Sequence, residues 1–120
     1  ISTGYILIDG GNTTAVERVS KTKPLQRDAI EEVVSTALAG ELLGNKLIYL
    51  EAGSGTQNPV PTSLIKAVKE SIHIPLIVGG GLTSTDAIKK AYEAGADIVV
   101  VGNYLEIHIE KMVDFCAVRN

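Results

Sequence analysis

The sequence predicts an α/β fold of four successive strand-helix units, a parallel sheet covering about half of a TIM-type (β/α)8 barrel, with residues 1–120 as a single domain. Three observations carry this expectation. Four short apolar runs, Gly4-Tyr5-Ile6-Leu7-Ile8, Leu47-Ile48-Tyr49-Leu50, Pro75-Leu76-Ile77-Val78 and Ile98-Val99-Val100-Val101, each lead into turn-forming residues. Between them, apolar residues recur at helical spacing. With one phenylalanine and no tryptophan, the core must be built from Ile, Val, Leu and Ala, which suits parallel strands covered by helices. Right-handed crossovers through helices make such a sheet parallel. In an eight-stranded barrel the loops after the strands form the active face, and those after the last two strands often bind phosphate. An open doubly wound sheet shares the spacing, but no G-x-G-x-x-G follows the first strand, which argues against a dinucleotide site.

Taken in order, the first run stops at Asp9-Gly10-Gly11-Asn12-Thr13-Thr14. From Thr13 to Arg27 there is no clean period, and the length marks a mobile or functional loop. Asp28 with Glu31 three residues on has the pattern of a helix N-cap, and Ile30, Val33, Val34, Ala37 and Leu38 follow at helical spacing until Gly44. After the second run and the turn Thr56-Gln57-Asn58-Pro59, Pro61 opens a helix whose Leu64, Ile65, Val68 and Ile72 share a face. The third run ends in Gly79-Gly80-Gly81-Leu82, and Thr83-Ser84-Thr85-Asp86 offers several caps for a helix with Ala87, Ile88 and Ala91 inward, closed by Gly95. Gly102-Asn103 ends the fourth run, and Ile109, Met112, Val113 and Cys116 mark an amphipathic closing helix.

A net charge of -3, with Lys21, Lys23, Lys66, Lys69, Lys89 and Lys90 set among acids, gives no broad cationic field and excludes nucleic acid as the expected partner. A single cysteine, Cys116, forms no internal disulfide, and no signal peptide or apolar run of membrane length is present, so a cytoplasmic location is expected. The chain opens at Ile1 and enters a strand almost at once, which reads as a piece of a longer protein.

The stretch that carries chemistry is Tyr49-Leu50-Glu51-Ala52-Gly53-Ser54-Gly55. Side chains alternate along a strand, so Tyr49 and Glu51 point to one face and Leu50 to the other. The two glycines that follow can take positive φ and let an anion approach backbone amides closely. A tyrosine and a glutamate beside such a turn point to a site for a phosphorylated alcohol.

Together with Pro59-Val60-Pro61, Gly79-Gly80-Gly81 and Gly102-Asn103, this stretch closely resembles the geranylgeranylglyceryl phosphate synthase family, with its bacterial heptaprenylglyceryl phosphate synthase relatives, over nearly the whole chain. A glycine triplet is common to many phosphate-binding barrels, whereas the seven residues followed in order by the two later turns are specific. The resemblance implies a magnesium-dependent (β/α)8 prenyltransferase of ether-lipid biosynthesis, which joins a polyprenyl diphosphate to sn-glycerol 1-phosphate. By it, the glycerol phosphate lies across Tyr49, Leu50, Glu51, Ala52, Gly53, Ser54, Gly55, Gly80, Gly81, Gly102 and Asn103. Amides of the glycine turns, aided by Ser54, hold the phosphate. Glu51 accepts the proton of the attacking hydroxyl, Tyr49 orients the alcohol or the carboxylate, and Mg2+ helps the diphosphate to leave. The family's metal-binding aspartate belongs to the first part of the barrel and Asp9 is not a matching position, so the metal ligands are unknown here and expected in the N-terminal half. These 120 residues would then be the C-terminal half.

Half a barrel has two open edges and an apolar face that needs cover, so pairing with a second half or a second copy is expected, and the isolated chain is expected to be inactive. Membrane-surface contact is expected through the lipid substrate. The competing reading is a non-catalytic phosphate-binding half-barrel that self-associates. Plainer roles stand beside the sharper ones: Glu51 as a strand-end carboxylate, Tyr49 as a packed barrel residue, the glycines as tight turns, Ser54 as a turn cap and Asn103 as a helix cap. Asp9 reads as a turn residue, His73 and His108 as exposed or capped, Cys116 as core, and the lysine pairs as a solvated helix face.

Overall fold

The computed structural model describes residues 1–11 and 23–119, so most of the loop expected from Thr13 to Arg27, including Lys21, lies outside the described residues. Four strands, β1 (Thr3–Leu7), β2 (Leu47–Glu51), β3 (Leu76–Gly79) and β4 (Ile98–Val100), lie side by side in that order, each parallel to its neighbour. Helix α1 (Ile30–Leu42) joins β1 to β2, α2 (Thr62–Ser71) joins β2 to β3, and α3 (Thr85–Ala94) joins β3 to β4. After β4 come α4 (Asn103–Ile107), a single 3-10 turn (Ile109–Lys111) and α5 (Met112–Ala117). A strand order that never turns back has no switch point of the doubly wound kind.

One face of the sheet is dry. Ile48, Leu50, Leu76 and Val78 are fully buried against Val33 and Ala37 of α1, Leu64, Ile65 and Val68 of α2, and Ala91 of α3. Burying such a side chain fully is worth about 1.5–3 kcal/mol, so this aliphatic layer supplies the main driving force. On the opposite face the register aligns Tyr5, Tyr49, Ile77 and Ile98 in one row and Leu7, Glu51, Gly79 and Val100 in the next. Tyr5, Ile98 and Val100 there are 47%, 45% and 40% exposed. A closed barrel fills that side with layers of side chains from all its strands. Four parallel strands in unbroken order, with an apolar inner row left open, are the half-barrel that the sequence predicted.

The ends of the strands away from Glu51 are tied by charge. Asp97, just before β4, accepts from Lys69 Nζ at 2.6 Å and from the amide of Leu76 at 2.9 Å. Arg119 donates to the Asp97 carbonyl at 2.7 Å while its guanidinium lies 5.5 Å from the centre of the Tyr92 ring.

Several local expectations are corrected. Asp28 does not cap α1: it sits in a turn, Ala29 occupies the N-cap without a side-chain bond, and of the expected stripe only Val33 and Ala37 are buried. Of the four candidate caps before α3, Ser84 is the one used, its Oγ accepting from the Ala87 amide at 3.1 Å. The first glycine of the triplet belongs to β3, and Pro75 lies outside it. The closing helix is broken by the 3-10 turn, which resets its phase: Phe115 is the buried residue, packed with Leu82 and Ile88, while Ile109, Met112, Val113 and Cys116 are exposed. Cys116 is therefore not core. Of the lysine pairs, Lys89 and Lys90 lie on the exposed face of α3 as expected, paired with Glu93 and Asp86, whereas Lys69 is tied to Asp97 and is not simply solvated.

Candidate active site

The site is built at the carboxyl ends of the strands. Glu51 is the last residue of β2, and Tyr49, two residues earlier, shares its face. After β3 the chain turns back through Gly80 and Gly81, whose φ values of 90° and 73° suit glycine. That turn packs directly on the one after β2: a Cβ on Gly80 would stand 2.8 Å from the Gly53 amide nitrogen, and one on Gly81 would stand 2.8 Å from Pro59 N. With the turn after β4 they enclose a cavity of about 770 Å³. Tyr5, Tyr49 and Glu51 line it from the strands, Ser54, Gly55, Gly80, Gly81 and Gly102 from the loops, and Leu82, Val100, Val101, Tyr104 and Ile107 add an apolar flank.

Glu51 is 9% exposed, and its Oε2 is buried without a hydrogen-bond partner among the described residues. Burial pushes its carboxyl above the usual carboxylate range, an effect only partly offset by the neighbouring Tyr49 hydroxyl and the Gly53 amide. Tyr49 is close enough to Glu51 to feel it electrostatically, yet the contact does not satisfy Oε2. Burial first, and then the Glu51 charge, hold the Tyr49 phenol far above its ordinary value, and the same two causes raise Tyr5. Both tyrosines thus stay protonated as hydrogen-bond donors. Their rings lie 5.0 Å apart, tilted by 43°. A carboxyl group with a raised pKa beside protonated phenols is better suited to taking a proton than an exposed carboxylate is.

A second network fixes the turn after β2. The Gly10 carbonyl accepts from Thr56 Oγ1 and, at 3.1 Å, from Asn58 Nδ2. The Arg27 guanidinium donates to three carbonyls, those of Asp9 at 3.3 Å, Asn58 at 3.0 Å and Pro59 at 2.7 Å. Arg27 therefore staples the loop after β1 to the loop after β2. Asp9 serves its own turn, its Oδ1 accepting from the Gly11 amide at 2.8 Å.

Of the residues expected from sequence, Tyr49, Glu51, Ser54, Gly55, Gly80, Gly81 and Gly102 meet at one cavity. Leu50 does not face it: its side chain is fully buried on the helix side, as the alternation requires, so it anchors the strand. Ala52 and Gly53 are buried just behind the cavity, where the Gly53 amide meets Glu51. Asn103 begins α4, with Gly102 at the N-cap, so Asn103 is not the cap. Sequence reasoning missed Tyr5, Tyr104, Thr56 and Arg27. Aligning the first two runs by their turns would have set Tyr5 beside Tyr49, and this was the one available signal. His73 is exposed near Glu41, and His108 stacks on Tyr104 at 4.3 Å, so neither enters the site as a ligand. Among the described residues no three His, Cys, Asp or Glu side chains are grouped as a metal cluster.

Fold and cavity define one half of a parallel α/β barrel that carries a buried carboxyl and convergent glycine turns at the strand ends where barrel enzymes keep their chemistry. The model of the PcrB family matches residues 1–119, and the chain belongs to that family. The geranylgeranylglyceryl phosphate synthase of Flavobacterium johnsoniae is 58% identical over 106 residues, which is 88% of this chain and 44% of that protein. The crystal structure of (S)-3-O-geranylgeranylglyceryl phosphate synthase from Thermoplasma acidophilum, in complex with its substrate sn-glycerol-1-phosphate, superposes with a TM-score of 0.83 at 36% identity, covering 98% of this chain and 46% of that one. The corresponding enzyme of Thermoplasma volcanium gives a TM-score of 0.80 at 36% identity, over 96% of this chain and 44% of that one. The chain spans less than half the length of the curated relatives it matches.

Proposed function

We propose that the whole protein is a prenyltransferase that joins a polyprenyl diphosphate to sn-glycerol 1-phosphate through an ether bond, and that these residues, as the C-terminal half of its barrel, hold the glycerol phosphate. The observation that carries this reading is the convergence of Glu51 and Tyr49 with three glycine-bearing turns on one cavity. Ser54 and the amides around Gly55, Gly80, Gly81 and Gly102 would grip the phosphate. Of the two free hydroxyls of the glycerol, the one at carbon 3, which the name of the Thermoplasma acidophilum enzyme indicates, would attack the first carbon of the prenyl chain. A carbon-oxygen bond forms, the bond to the diphosphate breaks with its electron pair, and the hydroxyl proton passes to Glu51. The protonated Tyr49 would orient the alcohol. The binding of sn-glycerol-1-phosphate by the Thermoplasma acidophilum enzyme supports the substrate.

Magnesium, with ligands in the rest of the protein, would ease the departure of the diphosphate, and no step above depends on it. Among the described residues no helix is long and apolar enough to cross a membrane. A cytoplasmic enzyme that meets the membrane through its lipid substrate is the corresponding proposal. The open face and edges would be covered by the remaining barrel strands or by a second copy, so the 120 residues alone are expected to be inactive.

The test is turnover of full-length protein with labelled glycerol 1-phosphate and a prenyl diphosphate. Glu51→Gln should lower kcat by about 10²–10⁴-fold, the usual range for a lost general base. It should change the KM for glycerol phosphate little. Normal turnover in that variant would remove Glu51 from the role.

A further inference from the structure

Gly79 differs from the two glycines that follow it. Gly80 and Gly81 have positive φ, whereas Gly79 does not and ends β3 as ordinary strand, so its backbone accepts any residue. The reason for glycine there lies in what a side chain would meet. Gly79 stands opposite Glu51 in the β2–β3 register. A Cβ at this position would lie 2.6 Å from Glu51 Oε2, 2.7 Å from Tyr49 Oη and 3.3 Å from Tyr49 Cε1. At Gly80 and Gly81 the three nearest atoms are all backbone; at Gly79 all three belong to the carboxylate and phenol placed in the chemistry. Glu51 Oε2, the oxygen that the methyl group would meet, makes no hydrogen bond among the described residues, so no bond at that atom resists its displacement.

We propose that Gly79 is a positioning residue: its missing side chain reserves the volume in which the Glu51 carboxylate and the Tyr49 hydroxyl meet, and so sets their distance to the reacting alcohol. This rests on the prenyl-transfer reading above. A misplacement near 1 Å at a reacting group can cost about 10²-fold in rate. The displaced atoms are the ends of flexible side chains, so the fold should survive the substitution while the chemistry does not.

The experiment uses full-length protein carrying Gly79→Ala. The expected result is a kcat lowered about 10–100-fold, by the same misplacement argument, with the KM for glycerol 1-phosphate and the thermal midpoint close to the parent's. In a Glu51→Gln background the same change should lower kcat by a smaller factor, because the base is already absent and only the displacement of the Tyr49 hydroxyl remains. A second readout independent of turnover is the carbon-13-detected titration of the Glu51 carboxyl, whose midpoint should move in Gly79→Ala. An unmoved titration midpoint overturns the proposal, as does an unchanged kcat in an active parent or an equal loss in both backgrounds. A parent that makes no ether lipid removes the prenyl-transfer reading instead, and the titration then decides the positioning role alone. If Gly79→Ala fails to fold, adding Glu51→Ala and Tyr49→Phe removes both polar atoms nearest the new methyl and should restore folding; continued failure would assign Gly79 to the fold and overturn the proposal.

Discussion

Arg27→Ala would cut the staple between the loops after β1 and β2. Of its three contacts, the 2.7 Å bond to the Pro59 carbonyl is short and partly buried, the 3.3 Å bond to the Asp9 carbonyl is long, and the 3.0 Å bond to the Asn58 carbonyl is exposed enough for water to replace it. A hydrogen bond from a charged group contributes about 1.5–3 kcal/mol when sheltered and less in water. The short bond should dominate, for a total loss of about 2–3 kcal/mol. For a protein of roughly 150–250 residues this lowers the thermal midpoint by about 4–12 °C. The loss should also reach the site, because Thr56 and Asn58 hang from Gly10 beside the stapled carbonyls and fix the turn that carries Ser54 and Gly55. In full-length protein the KM for glycerol phosphate should rise several-fold while kcat moves little. Arg27→Lys should recover only part of both effects, since an ammonium cannot present the planar fork that spans several carbonyls. Thermal denaturation followed by near-ultraviolet dichroism, with initial rates, measures both. A midpoint within 1 °C of the parent at unchanged KM would refute this account of Arg27.

Two further outcomes concern pH. Glu51 keeps its proton to higher pH in the folded than in the unfolded chain, so its stabilising contribution is full below the ordinary value of 4.5 and is lost as pH rises through the raised folded value. Glu51→Gln should therefore gain thermal stability at pH 8 relative to the parent and show no such gain at pH 4; an equal gain at both would contradict the burial argument. Asp97 has the opposite sign. Burial raises its pKa, but the bonds from Lys69 and the Leu76 amide and the charges of Lys69 and Arg119 outweigh this and leave it lowered. Its contribution is present above the ordinary value of 3.8 and is lost as pH falls through the lowered folded value. With side chains 34% and 41% exposed, the Lys69–Asp97 pair is worth about 0.2–1 kcal/mol, so Asp97→Asn should cost that much at pH 7 and less at pH 2 by urea denaturation.

What the sequence revealed follows from the range of the forces involved. The period-two pattern of β2 is local, and it put Tyr49 and Glu51 on one face and Leu50 on the other without knowledge of any neighbour. The glycine turns were equally legible, because positive φ and close backbone approach are carried by residue type. Tyr5 was not, since its place beside Tyr49 depends on register between strands some forty residues apart. Arg27 escaped notice because an arginine bound to carbonyls leaves no periodic trace. The closing segment misled because a 3-10 turn shifts the phase on which helical spacing depends, and Phe115 took the inward position that Cys116 had been expected to share.

Asp97, Lys69 and Arg119 clasp the molecule where β3 and β4 start, while Glu51 and the glycine turns stand where β2 and β3 stop. Changes made at sites that far apart, with no shared partners, should combine almost additively. A directed-evolution campaign that recarves the cavity walls for a different acceptor would therefore leave the clasp's share of thermal tolerance intact, and reinforcing the clasp beforehand would widen the set of wall sequences that still fold.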